Sequence, residues 1–302
     1  MTLSRRQVRA LLDEHGLQPS RALGQNFVAD PNTVRRIARL AEVGPGDRVV
    51  EVGPGLGSLT LALAETGAEV TAVEVDRYLL PVLRSVVEPA GVRVVHGDAL
   101  HLDWAEVLGG PDAATGEDGG CGGAVGEGGA DLDDSETATP ARRWALVANL
   151  PYNIATPLIL DVLARVPAID RMLVMVQREV AERLAAGVGD PAYGIPSVKV
   201  AWWADAEVVG RVPPTVFVPE PRVESALVRL RRHGRQPPGV DRSRVFRLVD
   251  AGFGQRRKML RRSLAGLVGP DDFARAGVRP EARAEELALG DWVRLAAGDV
   301  SQ

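Results

Sequence analysis

Cysteine is nearly missing from this chain. The single Cys121 excludes an internal disulfide, and with only four scattered histidines no clustered set of metal ligands can form, so no metal site is expected. Long apolar runs are missing as well. The opening MTLSRRQVRALLDEHG mixes charge with Leu and Val, which excludes a signal peptide, and no later stretch approaches a membrane span. The expectation is a cytoplasmic protein with no membrane partner. Between residues 109 and 140 Lys and Arg are absent instead, and large apolar side chains nearly so. That stretch has eight acidic residues, no Lys or Arg, and ten glycines in its first twenty-one positions. Such a segment cannot bury enough surface to offset its ordering entropy, so it reads as a disordered acidic insertion with Cys121 incidental to it.

What is present suits a globular protein. The 302 residues, 45% hydrophobic and 25% charged, suffice for one large or two ordinary domains. The net charge of -4 is misleading, because without residues 109–140 the chain carries +4. Residues 222–262 hold thirteen Lys or Arg against three acids, an excess that favours a polyanionic partner over a merely solvated surface.

In chain order, residues 4–15 read as an amphipathic helix, and Asp30-Pro31 opens a second helix running to about Ala41. A strand over residues 47–52 leads into EVGPGLGS (51–58), where Gly53, Gly55 and Gly57 allow a turn whose backbone can lie against a ligand before a helix over 59–64. A strand over 68–75 ends in Glu74-Val75-Asp76, which places a carboxylate about twenty residues beyond the first glycine, where a ribose would lie. A third strand over 92–96 ends in Gly97-Asp98. Alternating strands and helices imply a parallel sheet with its ligands at the carboxyl ends of the strands. The dinucleotide fingerprint G-x-G-x-x-G fails at Ser58, which counts against a nicotinamide enzyme.

The fourth strand, Trp144 to Ala148, runs into Asn149-Leu150-Pro151-Tyr152. The Asn149 side-chain carbonyl and the neighbouring backbone carbonyl can hold an exocyclic amino group while Tyr152 stacks on the base that carries it and Pro151 fixes the turn. Alone, the motif is more often an ordinary strand end. A helix capped by Thr156 and running to about Val166, a strand over 171–176, a helix over 177–184 and strands over 205–212 and 224–230 follow. The last two are joined by PPTVFVPEP (213–221), where Phe217 either closes over a pocket or staples the core. Residues 231–240 read as an exposed linker. Beyond them the pattern is helical, with QRRKMLRR (255–262) as its basic centre, giving domains over 1–232 and 240–302.

These motifs resemble the ribosomal RNA small-subunit adenine dimethyltransferases of the kasugamycin-sensitivity type. The resemblance is carried by LGQNF (23–27), EVGPGLGSLT (51–60), VEVD (73–76), GDA (97–99), NLPYNI (149–154), QREV (177–180), VFVPEPRVESA (216–226) and QRRK (255–258). Departures are Val28, Pro196 and the acidic insertion. The resemblance implies an α/β, Rossmann-like class I S-adenosylmethionine-dependent methyltransferase with a small C-terminal helical domain. It assigns Asn26 and Val28 to closing over the cofactor, Gly53 and Gly55 to the turn beneath it, Glu74 to its ribose and Asp98 to its adenine, with Asn149 where cofactor meets substrate. Leu150, Pro151, Tyr152 and Phe217 would complete the catalytic set. Arg222, Arg256, Arg257, Lys258 and Arg261 would bind RNA.

The implied reaction is transfer of methyl groups to N6 of two adjacent adenosines in the 3′-terminal hairpin loop of 16S rRNA, within an immature 30S subunit, by a monomer. An adenine amino nitrogen is a poor nucleophile because its lone pair is delocalised, and acceptors that hold its two N–H bonds out of the base plane restore it. Competing readings are a large-subunit rRNA adenine methylase of the macrolide-resistance type and a non-catalytic RNA-binding or ribosome-assembly factor.

Overall fold

The structure is a computed structural model, and it describes residues 2–20, 22–109, 143–234 and 239–297. The acidic insertion beyond Gly109, Cys121 included, lies outside the described residues. In order the elements are α1 (Arg5–Glu14), β1 (Phe27–Val28), α2 (Pro31–Leu40), β2 (Arg48–Val52), α3 (Ser58–Ala64), β3 (Glu69–Glu74), α4 (Leu80–Val87), β4 (Arg93–His96) and α5 (Trp104–Leu108). Then come β5 (Trp144–Asn149), α6 (Ala155–Arg165), β6 (Ile169–Gln177), α7 (Arg178–Ala185), α8 (Ile195–Ala201), β7 (Ala204–Val212), β8 (Phe217–Val218) and β9 (Ser225–Arg232). Helices α9 (Arg242–Gly254), α10 (Leu260–Ser263), α11 (Pro270–Ala276) and α12 (Leu289–Ala296) finish the chain.

Seven strands form one sheet in the order β4-β3-β2-β5-β6-β9-β7, with β9 antiparallel to both neighbours and the other pairings parallel. From β2 the chain winds outward through β3 and β4, and from β5 it winds the other way through β6. The carboxyl ends of β2 and β5 therefore flank the point where strand order reverses, the crevice in which such sheets bind ligands. The largely parallel sheet is the one expected from the strand and helix alternation, and its Rossmann-like α/β arrangement is the one the family resemblance implies.

Strand β5 shows why the sheet is stable. Both its faces are covered, and its side chains alternate between two apolar clusters: Ala145 and Val147 join Val49, Leu173 and Met175 on one side, while Leu146 and Ala148 join Val50, Val174 and Ile159 on the other. The second cluster continues through Trp202 and Trp203 to Val245, Leu248 and Trp292, so the C-terminal helices share its core. Phe246 makes the join, its ring lying edge-to-face with Trp202 at 5.8 Å and Trp203 at 5.3 Å.

Two local expectations are corrected. Helix α6 starts at Ala155 with Ile154 as its N-cap and no side-chain cap, so Thr156 is inside the first turn, where Pro157 costs no intrahelical hydrogen bond. Strand β9 runs to Arg232 rather than ending at Leu230. Arg231 pairs with Arg171 across the sheet, and the Arg232 guanidinium donates to the carbonyls of Leu163, at 2.9 Å, and Ile169, at 3.2 Å. An arginine at a strand end thus reads as solvent-facing in sequence while it serves carbonyls at the end of α6 and the start of β6.

Candidate active site

At the crevice lies a cleft open to solvent, about 980 Å³ of empty space with the adjoining solvent counted. Its floor is the turn after β2. Gly53 (φ +70°), Gly55 (φ +59°) and Gly57 (φ +85°) all adopt left-handed backbone, and a Cβ on Gly55 would lie 2.7 Å from the Phe27 ring. The glycines are therefore needed both for the bend and for the approach of the segment above.

That segment, residues 23–28, lies over the turn. Strand β1 pairs with β8 as a two-stranded antiparallel ribbon, Phe27 opposite Val218 and Val28 opposite Phe217. Gln25 is clamped at both ends of its amide: Oε1 accepts from Ser20 N at 2.8 Å, and Nε2 donates to Asp76 Oδ2 at 2.8 Å. Asn26 donates from Nδ2 to Gly24 O at 3.1 Å. Val28 is buried at the cleft wall.

Asn149 ends β5 and joins the two halves of the site. Its Nδ2 donates to Asn26 O at 2.9 Å, and since a carbonyl can only accept, the amide orientation is fixed with Oδ1 left free as an acceptor. Leu150 N donates to Met175 O at 3.0 Å, continuing the ladder, while the Leu150 side chain is buried and its residue lines the cleft. Tyr152 is half-buried, with its hydroxyl 2.9 Å from Ser225 Oγ, which holds the ring at the cleft; burial raises its pKa above the ordinary phenol value. Phe217 is a correction. Its ring is 1% exposed, belongs to the apolar cluster with Val28 and Leu227, and is absent from the cleft lining, so it serves as a core staple behind the β1–β8 ribbon. Hydrophobic burial outweighs the exposed placement that a proline-rich loop suggests.

Carboxylates occupy the far wall. Glu74 is 4% exposed, and its two oxygens accept from Gly55 N at 3.1 Å and Asp76 N at 2.9 Å; burial raises its pKa in spite of these bonds. Asp98 sits at the exposed rim, where the Leu100 amide and then His101 hold its pKa down. Glu51, whose place in the motif carried no assigned role, is 1% exposed at the cleft floor with Oε2 unpartnered, and burial pushes its pKa up to about 8. The Thr60 hydroxyl beside it opposes the shift without closing a well-formed hydrogen bond. A carboxylate inside an otherwise apolar strand, VVEV, is the signal that could have marked it. Gln25 and Ser225, which position Asp76 and Tyr152, carried no such signal.

An unpaired buried carboxylate oxygen, a glycine turn and a second buried carboxylate suit a ligand that combines a cationic centre with a ribose. S-adenosylmethionine is such a ligand, so the donor set fits it. The basic residues lie apart from the cleft. Arg256 is engaged by Glu285 Oε2 at 2.7 Å and Pro191 O at 3.2 Å, and Arg261 lies 3.8 Å from Glu281. Arg222, Arg257 and Lys258 have no side-chain partner among the described residues.

A family model described as ribosomal RNA adenine dimethylase matches residues 17–297. The chain is 48% identical over 300 residues to a ribosomal RNA small subunit methyltransferase A of Cutibacterium acnes, spanning 95% of this chain and 91% of that protein. It is 46% identical over 305 residues to the protein of the same name from Kineococcus radiotolerans, spanning 98% and 91%. The crystal structure of a dimethyladenosine transferase from Plasmodium falciparum shares the fold at a TM-score of 0.68 and 20% identity, over 89% of this chain and 95% of that one. That of the 23S rRNA methyltransferase ErmE gives 0.62 at 26% identity, over 89% and 98%.

Proposed function

The chain belongs to the ribosomal RNA adenine dimethylase family, and from that premise we propose that it dimethylates N6 of two adjacent adenosines in the 3′-terminal hairpin loop of small-subunit rRNA. It is an S-adenosylmethionine-dependent rRNA adenine dimethyltransferase with an RNA partner. The likeness to small-subunit enzymes at 48% identity, against 26% for the 23S enzyme, favours the small subunit over the large. An immature 30S particle as substrate, action as a monomer and a cytoplasmic location are parts of the same proposal. No helix among the described residues is long and apolar enough to cross a membrane.

The fixed Asn149 amide carries the mechanism. Asn149 Oδ1 and the Leu150 carbonyl accept the two N–H bonds of the adenine amino group, which pulls them out of the base plane and localises the lone pair on nitrogen. Tyr152, tethered to Ser225, holds the flat base. Glu74, the Gly53–Gly55 turn, Asp98 and the segment carrying Asn26 and Val28 hold S-adenosylmethionine, which supplies the electrophilic methyl group. The product nitrogen releases its proton readily, so no strong base is needed, and the site can accept the monomethylated amine for a second cycle. Labelled methyl transfer to small subunits lacking the modification, followed by nucleoside analysis, tests the reading: N6,N6-dimethyladenosine in small-subunit rRNA is expected, and label confined to large-subunit RNA would overturn it.

A further inference from the structure

Helix α1 carries five charged side chains, and the four in its end turns oppose the helix dipole. Arg5 and Arg6 lie in its first turn and Arg9 one turn on, whereas Asp13 and Glu14 end it; no acid occupies the first turn and no base the last. Cations at the amino end and anions at the carboxyl end both destabilise a helix. Arg5 and Arg6 therefore do not serve the helix they stand on. They do not serve the fold through ion pairs either. Arg6 and Arg9 are exposed and have no partner among the described residues, and Arg5 donates only to the Thr215 carbonyl. With Ala10 and Asp13 the three arginines line one shallow groove.

The position of this surface is set by the other face of the helix. Val8 and Leu12 pack with Phe27, Leu56 and Leu79, and Val8 reaches the wall of the active-site cleft. Arg5 meanwhile touches the loop that precedes β8. The row thus stands on the outer face of a helix whose inner face reaches the cleft wall, a different part of the molecule from the basic residues of the C-terminal helices.

We propose that Arg5, Arg6 and Arg9 form a second contact surface for the phosphate backbone of the rRNA substrate, on the outer face of the helix that walls the cleft. This rests on the rRNA methyltransferase reading above. Arg6→Ala with Arg9→Ala leaves the buried face of α1 and the Arg5–Thr215 contact untouched, and Arg6→Lys with Arg9→Lys keeps the charge. Binding across a salt series is measured on unmethylated small subunits and on protein-free small-subunit rRNA, beside calorimetry with S-adenosylmethionine. In the alanine variant the slope of log K against log salt should fall by about 1.4 to 1.8, the share of two phosphate contacts. The lysine variant should keep the parent slope, and all three proteins should bind S-adenosylmethionine alike. An unchanged slope in the alanine variant overturns the proposal. So does a change seen on intact subunits but not on protein-free rRNA, which would place the arginines against a ribosomal protein. A parent enzyme that methylates neither substrate overturns the functional reading and this proposal with it, so the two failures are told apart.

Discussion

At the scale of single residues, the site separates into groups that hold the cofactor and groups that act on the amine. Glu74 belongs to the first. Its two oxygens each retain a lone pair beyond the backbone bonds to Gly55 and Asp76, so Glu74→Ala should weaken S-adenosylmethionine binding by about 1.5 to 3 kcal/mol, the range for hydrogen bonds to a charged group. Calorimetry on a variant of unchanged fold measures it, and equal affinity would remove Glu74 from the site. Asn149 belongs to the second. Asn149→Ala should leave cofactor binding near the parent value and slow single-turnover methylation by on the order of 10²-fold or more, the usual effect of losing one positioned polar group. Glu51 gives a pH dependence. Its folded-state pKa of about 8 stands above its ordinary 4.5, so the folded chain keeps a proton that the unfolded chain has released. That contribution to stability is complete below about 4.5 and is lost as pH rises to about 8, by at most about 1.4 kcal/mol per unit. Urea denaturation of the cofactor-free protein at several pH values in that window should show the decline, and Glu51→Gln should flatten it. An identical slope in both proteins would mean that Glu51 ionises normally.

Among the elements, the β1–β8 ribbon and the α9–α10 connection answer different questions. The ribbon fixes the roof of the cleft, and its two strands were invisible in sequence because two-residue strands have no period to read and their partners lie far apart in the chain. For the same reason Phe217 left two readings open: a ring between prolines says nothing about which side it faces. The longer elements were legible. Asp30-Pro31 and the glycines of residues 53–57 carry local chemistry that needs no distant partner, and α2, β2 and α3 appear within a residue or two of where that chemistry places them. In the α9–α10 connection, Arg256 is tied to Glu285 and Pro191, so neutralising it would loosen the packing as well as the surface charge. A cleaner variant replaces Arg257, Lys258 and Arg262, which have no such ties among the described residues. It should bind small-subunit RNA more weakly and with a flatter salt dependence, while cofactor affinity and melting temperature stay at parent values. A retained salt slope in filter binding would exclude this surface from RNA contact.

For the whole molecule, the order of the sheet was legible only as a class. Alternating strands and helices imply parallel neighbours, but the insertion of β9 between β6 and β7 depends on antiparallel pairing that composition does not encode. The acidic stretch over residues 109–140 should be replaceable by a short turn, since loop closure costs little more for long loops than for short ones. Unchanged methylation and a melting temperature within a few degrees are expected, and loss of folding would refute this. The strand order also bears on when the enzyme becomes competent during its own synthesis. The roof strand β1 is made first, yet its partner β8 and the wedge strand β9 come some two hundred residues later. A ribosome that has released only the first half of the chain therefore holds the glycine turn and the β3 carboxylate without a roof above them. Affinity for the methyl donor should thus emerge late, once Arg232 has left the exit tunnel, so that half-made copies leave the donor pool untouched.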